Sequence, residues 1–97
     1  EFIRRFPESD LADNAQYWIG EGFYSQKAFQ DARDAFQGVV DHFPFGNKVP
    51  DALYKRGLCE GALGDKAAEA KTLREVVEQY PFSDASVKAR DLLKKLG

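Results

Sequence analysis

Side-chain catalysis needs a nucleophile, a base and an orienting group that converge on one point. This chain of 97 residues has a single histidine, His42, and a single cysteine, Cys59. His42 falls at the end of one expected helix and Cys59 midway along the next, so they could form a pair. The competing reading is a surface histidine and a small packed thiol, and it is the one adopted. Asp31 and Asp34 lie one helical step apart, which is the ordinary spacing of a solvated face. A metal needs three or four His, Cys or carboxylate ligands, and the sequence shows no such cluster. Gly20-Glu21-Gly22 falls inside a helix and lacks the Lys-Ser/Thr of a phosphate loop. The expectation is therefore no catalytic residue, no metal and no cofactor. Two tyrosines, Tyr17 and Tyr54, recur at one fixed interval. Tyrosines placed this way offer contact area and a hydroxyl at low entropic cost, which suits binding rather than catalysis.

Composition narrows the partner. Hydrophobic residues make up 43% and charged residues 31%, which suits a folded domain rather than a disordered segment. A net charge of −2 and a pI near 5.4 argue against nucleic acid, whose phosphates call for a basic excess. No apolar run reaches the length of a membrane span. One cysteine cannot form an internal disulfide.

The elements that must position these residues come from a repeat of 37 residues. Phe6-Pro7, Phe43-Pro44 and Tyr80-Pro81 share that step. So do Ala15, Ala52 and Ala89; Tyr17 and Tyr54; Gly20 and Gly57; Phe36 and Leu73; and Val39-Val40 with Val76-Val77. Each unit reads as two helices. Phe29, Ala32, Phe36, Val39, Val40 and Phe43 fall at steps of three and four, as one helical face does. Ala70, Leu73, Val76, Val77 and Tyr80 repeat that face. The first helices carry Leu11, Ala15, Trp18, Ile19 and Phe23, then Ala52, Leu53, Cys59 and Leu63.

Punctuation sets the ends. Proline after each aromatic disfavours helix for the residue before it. Ser9, Asp10, Ser83 and Asp84 can accept from free N–H groups of the next helix. Pro50 fits a first turn. Ser25-Gln26-Lys27 and Gly64-Asp65 supply the turns inside the units. Gly20 and Gly57 stand mid-helix, where glycine costs about 1 kcal/mol against alanine. Close approach of the two helices would offset that. The last helix, Ser83 to Leu96, has Lys94 at the glycine position and no partner helix. It reads as a cap with Leu92, Leu93 and Leu96 inward and Lys88, Lys94 and Lys95 outward.

This pattern resembles the tetratricopeptide repeat, whose consensus has Gly at position 8, Ala at 20, an aromatic at 24 and Pro at 32. The first unit matches with Gly20, Ala32, Phe36 and Pro44. The second matches with Gly57, Leu73 and Pro81, and departs where Glu69 replaces the small residue. The implied fold is all-α: a right-handed superhelix of antiparallel helix pairs, about five helices plus an N-terminal remnant. Its expected division is 1–7 (end of a preceding repeat), 8–44, 45–81 and a capping helix over 82–97. The phrases ADNAQYWIGEGFY, PDALYKRG and LGDKAAEAK resemble a narrower family, the C-terminal domain of the Tol–Pal-associated YbgF/CpoB proteins. That resemblance implies a periplasmic, non-enzymatic adaptor that coordinates outer-membrane constriction with peptidoglycan synthesis at division. Its implied partners are TolA and the peptidoglycan synthesis machinery. The alternative is a repeat scaffold of another envelope assembly, such as the outer-membrane β-barrel assembly lipoprotein.

In tetratricopeptide proteins a groove is lined by set positions of the first helices. Here these are Asn14, Tyr17, Glu21 and Tyr24; Asp51, Tyr54, Leu58 and Gly61; and Lys88, Asp91 and Lys95. The expected partner-binding set is Asn14, Tyr17, Glu21, Tyr24, Tyr54, Leu58, Lys88 and Asp91. Glu21 is expected to repel a terminal carboxylate. Arg56 and Glu60 are expected to pair structurally, and Trp18 to pack against a preceding unit. Phe2, Phe6, Leu11 and Trp18 form an edge, and either self-association through it or a frayed N-terminal segment is expected.

Overall fold

The computed structural model describes the backbone from Phe2 to Leu96 and the side chains from Ala12 to Leu96. Five helices follow in order: α1 Phe2–Ser25, α2 Phe29–His42, α3 Val49–Ala62, α4 Lys66–Gln79 and α5 Asp84–Leu96. Among the described residues there is no strand. α1 packs on α2, α2 on α3, α3 on α4 and α4 on α5, with α5 also reaching α3. This is the all-α array of helix pairs that the repeat calls for. α1 is continuous from Phe2 through Pro7, where the pattern places a break between helices. The side chains of Phe2, Phe6, Ser9, Asp10 and Leu11 lie outside the described residues, and with them the caps and edge expected there.

Both turns inside the units have the same hydrogen bonds. Lys27 N–H donates to Tyr24 O at 2.9 Å, and Ala28 N–H to Phe23 O at 2.9 Å. Gly64 and Asp65 repeat this, donating to Gly61 O at 3.0 Å and Glu60 O at 2.9 Å. That crossed pair is the Schellman ending of a helix, with a left-handed residue at its centre. Gly64 takes φ +92° and Lys27 φ +63°. Only glycine does so without steric cost. Asp65 also caps α4, accepting from Ala68 N–H at 3.0 Å, whereas Ala28 has no side chain with which to cap α2.

The core runs along the seam of the pairs. Ala32, Phe36 and Val39 of α2 and Leu73 and Val76 of α4 are fully buried, as the helical faces predict. The glycines do what their position suggests, with one difference. A large side chain, not bare backbone, fills the space. A Cβ on Gly20 would stand 2.6–2.9 Å from the Phe36 ring, and one on Gly57 would stand 3.2 Å from Leu73 Cδ2.

Expectations for the core are corrected at several positions. Ala15 is exposed, Ile19 more than half exposed and Leu63 nearly so. Trp18, expected to meet a preceding unit, is 61% exposed. Leu63 is the C-cap residue of α3, at the turn into α4. Leu96 likewise stays partly exposed, one residue from the chain end, while Leu92 and Leu93 pack against the core.

Gly20→Ala should destabilise the protein, since overpacking of about 1–3 kcal/mol exceeds the helix-propensity gain of about 1 kcal/mol. Gly22→Ala should stabilise it, because nothing lies within 4 Å of a Cβ there. Lys27→Gly should also stabilise. Urea unfolding of the three variants checks the signs.

Candidate functional site

The side chains expected to bind a partner come from α1, α3 and α5, and lysines tie these helices together. Lys55 Nζ lies 3.2 Å from Glu21 Oε1 and 4.8 Å from the centre of the Tyr24 ring. Lys48 Nζ stands 5.2 Å from the Tyr17 ring centre, and Lys88 Nζ 5.7 Å from that of Tyr54. Each tyrosine thus carries an ammonium from the next first helix, or from the residue that leads into it, over its ring. A cation within about 6 Å of an aromatic centroid is attracted by the ring quadrupole, by about 0.5–1 kcal/mol at exposed sites. The result is a continuous band of rings and charges.

Tyr17 is not the open groove residue that its position implies. It is 7% exposed, packs 5.5 Å from the Phe36 ring centre and belongs to the core. The reason is Gly20, one turn on. Without a side chain there, Phe36 sinks against α1 and meets Tyr17. Burial, then the charges of Glu21 and Asp51, raises the Tyr17 phenol above its ordinary range. Tyr54 is half-buried and raised in the same direction by burial, against a smaller opposing pull from Lys55. Tyr24 is half-buried beside Phe29. Leu58 is half-buried, while Lys88 and Asp91 are exposed. Asn14 is half-buried, with its Oδ1 buried and without a hydrogen-bond partner. Glu21 is not the free charge that the sequence suggested, since Lys55 neutralises it.

Lys48 and Lys55 were missed by sequence reasoning. Their signal is in the register: each follows its tyrosine by 31 residues. Also missed were Phe45 and Phe82, fully exposed at one repeat position in the linkers.

The His42–Cys59 pair does not assemble. His42 is exposed at the end of α2, and Cys59 is fully buried in α3. Burial, with Glu60 next, pushes the Cys59 thiol up to about 11, so it stays protonated and out of reach at neutral pH. Among the described residues no group of three His, Cys, Asp or Glu could hold a metal ion. No helix of the described residues is long and apolar enough to cross a membrane.

Arg56 and Glu60 pair as expected, within a larger network. Arg56 Nε lies 3.5 Å from Glu60 Oε2, and Arg33 Nε donates to that same oxygen at 3.3 Å. Arg56 Nη2 donates to Thr72 Oγ1 at 2.8 Å, and Thr72 donates onward to Glu60 Oε1 at 2.6 Å. Gln37 accepts from Arg56 Nη1, and Glu75 accepts from the same Nη2 that serves Thr72. The network joins α2, α3 and α4 across the boundary between units.

The tetratricopeptide-repeat model matches residues 14–45 and 51–83, two copies in the 37-residue register. This chain belongs to the tetratricopeptide-repeat family. Its relatives include cellulose synthase 1 operon protein C of Komagataeibacter xylinus, 32% identical over 90% of this chain. Cellulose synthase operon protein C of Komagataeibacter sucrofermentans is 30% identical over 92%. The chain spans 6% of the length of either relative. Tetratricopeptide units stack into extended concave surfaces that bind other proteins, and a protein–protein adaptor is the class of function that this membership supports.

Two predictions follow from the titratable and buried groups. Cys59 and Tyr17 hold their protons in the folded state at pH values where the unfolded chain has lost them. These two groups should therefore leave stability level between about pH 7 and 8 and lower it as pH rises further, with Cys59 contributing about 1.4 kcal/mol per pH unit between its ordinary value and its raised one. Urea midpoints from neutral to alkaline pH should show this, and Cys59→Ala should remove the first part of the fall. Glu60→Ala should cost about 3 kcal/mol by removing the buried carboxylate that Arg33 and Arg56 share and leaving Arg56 with Glu75 alone. Glu60→Gln should cost less, because it still accepts from Thr72.

Proposed function

We propose that this chain is a non-enzymatic adaptor segment of the bacterial cell envelope, acting on the periplasmic side. It holds a segment of a partner protein on the face formed by α1, α3 and α5. The observation that carries this reading is the band of tyrosines and lysines along that face. It combines half-buried tyrosine area, a residue type enriched at protein-binding surfaces, with ammonium groups held over the rings.

The narrower placement rests on the residue-level resemblance to the YbgF/CpoB family. On that reading the partners are TolA and the peptidoglycan synthesis machinery, and the task is to coordinate outer-membrane constriction with wall synthesis at division. A second reading is favoured by the relatives. Their likeness along nine-tenths of the chain supports a repeat segment of a scaffold serving a cellulose synthase.

The test is a titration followed by NMR, with the central and C-terminal regions of TolA in one arm and cellulose synthase subunits in the other. Tyr54→Ala is the informative variant, because Tyr54 is half-buried. Tyr17→Ala would remove a core side chain at about 3–5 kcal/mol and confound the result. Shifts clustered on Tyr24, Tyr54, Lys55 and Lys88 with TolA, lost in Tyr54→Ala, are expected on the first reading. The same shifts with a cellulose synthase subunit would move the chain to the second. Shifts confined to other surfaces would refute the binding face.

A further inference from the structure

The repeat provides an internal control for what should be buried. On α3, Val49, Ala52 and Cys59 are almost fully buried, and on α5 Ser86 and Ala89 are too. Their counterparts on α1, 37 residues earlier, are Ala12, Ala15 and Gly22, and all three are exposed. Ile19 and Trp18 complete this stripe at 52% and 61% exposure, while their counterparts Arg56 and Lys55 are mostly covered. The covering on α3 comes mainly from α2, with Glu21 and Tyr24 of α1 over Lys55, and on α5 mainly from α4, the second helix of the unit before. α1 has the same face and nothing on it among the described residues.

Stacked units pack a second helix on the next first helix, as α2 does on α3; we propose that the seam on this outer face of α1, facing the second helix of a unit placed ahead of it, is apolar where the next seam is polar. The repeat identifies the occupant, because the equivalent faces of α3 and α5 each pack against the second helix of the unit before, α2 and α4. A second copy of this chain is the poorer occupant. Its two second helices already pack against α3 and α5, so it has no free helix of this type to give.

The chemistry of the seam differs from its neighbour. α3 meets α2 through Arg56 and Glu60, which engage Gln37 and Arg33. The α1 counterparts of Arg56 and Glu60 are Ile19 and Phe23. An arginine facing Ile19 and Phe23 would be buried without a counter-charge. The docking helix should therefore be apolar at the positions where α2 carries Arg33 and Gln37. The two seams cannot exchange helices, which fixes the order of the units.

Trp18 is the sole tryptophan, so its fluorescence reports this face alone. The test joins an additional copy of residues 8–44 directly ahead of Glu8, in place of residues 1–7, with Trp18→Phe in the added copy so that the original Trp18 stays the sole tryptophan. It is made in two forms. One keeps the other native residues; the other also carries Arg33→Leu and Gln37→Leu in the added copy. Circular dichroism first establishes that the added helices form. The apolar form should shift Trp18 emission to the blue, lower its acrylamide quenching several-fold and raise the melting temperature above that of the native form. Equal effects from both forms would overturn the seam chemistry. No protection of Trp18 by either folded form would overturn the docking site. Sedimentation of the unextended chain supplies the remaining outcome. A dimer that protects Trp18 and is dispersed by Trp18→Glu would make a second copy the occupant and refute the proposal.

Discussion

The distance between the two helices of a unit is set by a glycine beneath a large side chain, and the rest of the structure depends on it. Phe36 lies on Gly20, and Leu73 lies on Gly57. The close approach sinks Phe36 deep enough to meet Tyr17, and Tyr17 in turn carries Lys48 over its ring. It also brings Thr72 within reach of both Arg56 and Glu60. Glycine costs helix stability at both places, and the burial of a whole phenylalanine or leucine, about 1.5–3 kcal/mol, offsets it.

The two units solve the same packing problem with different residues, in matched sets. The first has Tyr24 and Ala32 where the second has Gly61 and Glu69. Glu69 fills the space that Gly61 leaves, and a Cβ on Gly61 would collide with its carboxylate. The small residue that the repeat pattern lacks at Glu69 has moved to the facing helix. The linkers show the same kind of exchange. Ser83 caps α5 itself, accepting from Ser86 N–H at 3.1 Å. Gly46 stands in its place in the first linker and has no side chain. There Asp13 accepts from Lys48 N–H at 3.2 Å, and a Cβ on Gly46 would strike Asp13. The lysine band follows this logic too. Glu21, Tyr24 and Lys55 form an ion pair beneath a ring, and their counterparts one unit on are Leu58, Gly61 and Leu92.

Much of the fold was legible because it rests on spacing. The aromatic-proline step, the paired valines and the two mid-helix glycines located both helix pairs, and the cap at Ser83 followed from residue type. The contact face was legible only in outline. Its helices and Tyr54 follow from the register, but the burial of Tyr17 depends on Phe36 entering the gap over Gly20, a relation between two helices. The lysines were missed because they reach their rings from a neighbouring unit, with no local pattern to mark them. Ile19 went the other way: its type suggests a core, yet it is 52% exposed where its counterpart Arg56 is mostly covered.

Matched sets predict strong coupling between the residues of a set, and this is open to one direct measurement. A double-mutant cycle would convert the second unit to the pattern of the first, with Gly61→Tyr, Glu69→Ala and both together, each followed by urea unfolding. Gly61→Tyr alone should be strongly destabilising, because Glu69 fills the space. The double variant should be more stable than the sum of the single changes by about 1–3 kcal/mol, the range seen for residues in contact. Additive effects, to within about 0.5 kcal/mol, would mean that the two positions vary independently, and would contradict the account.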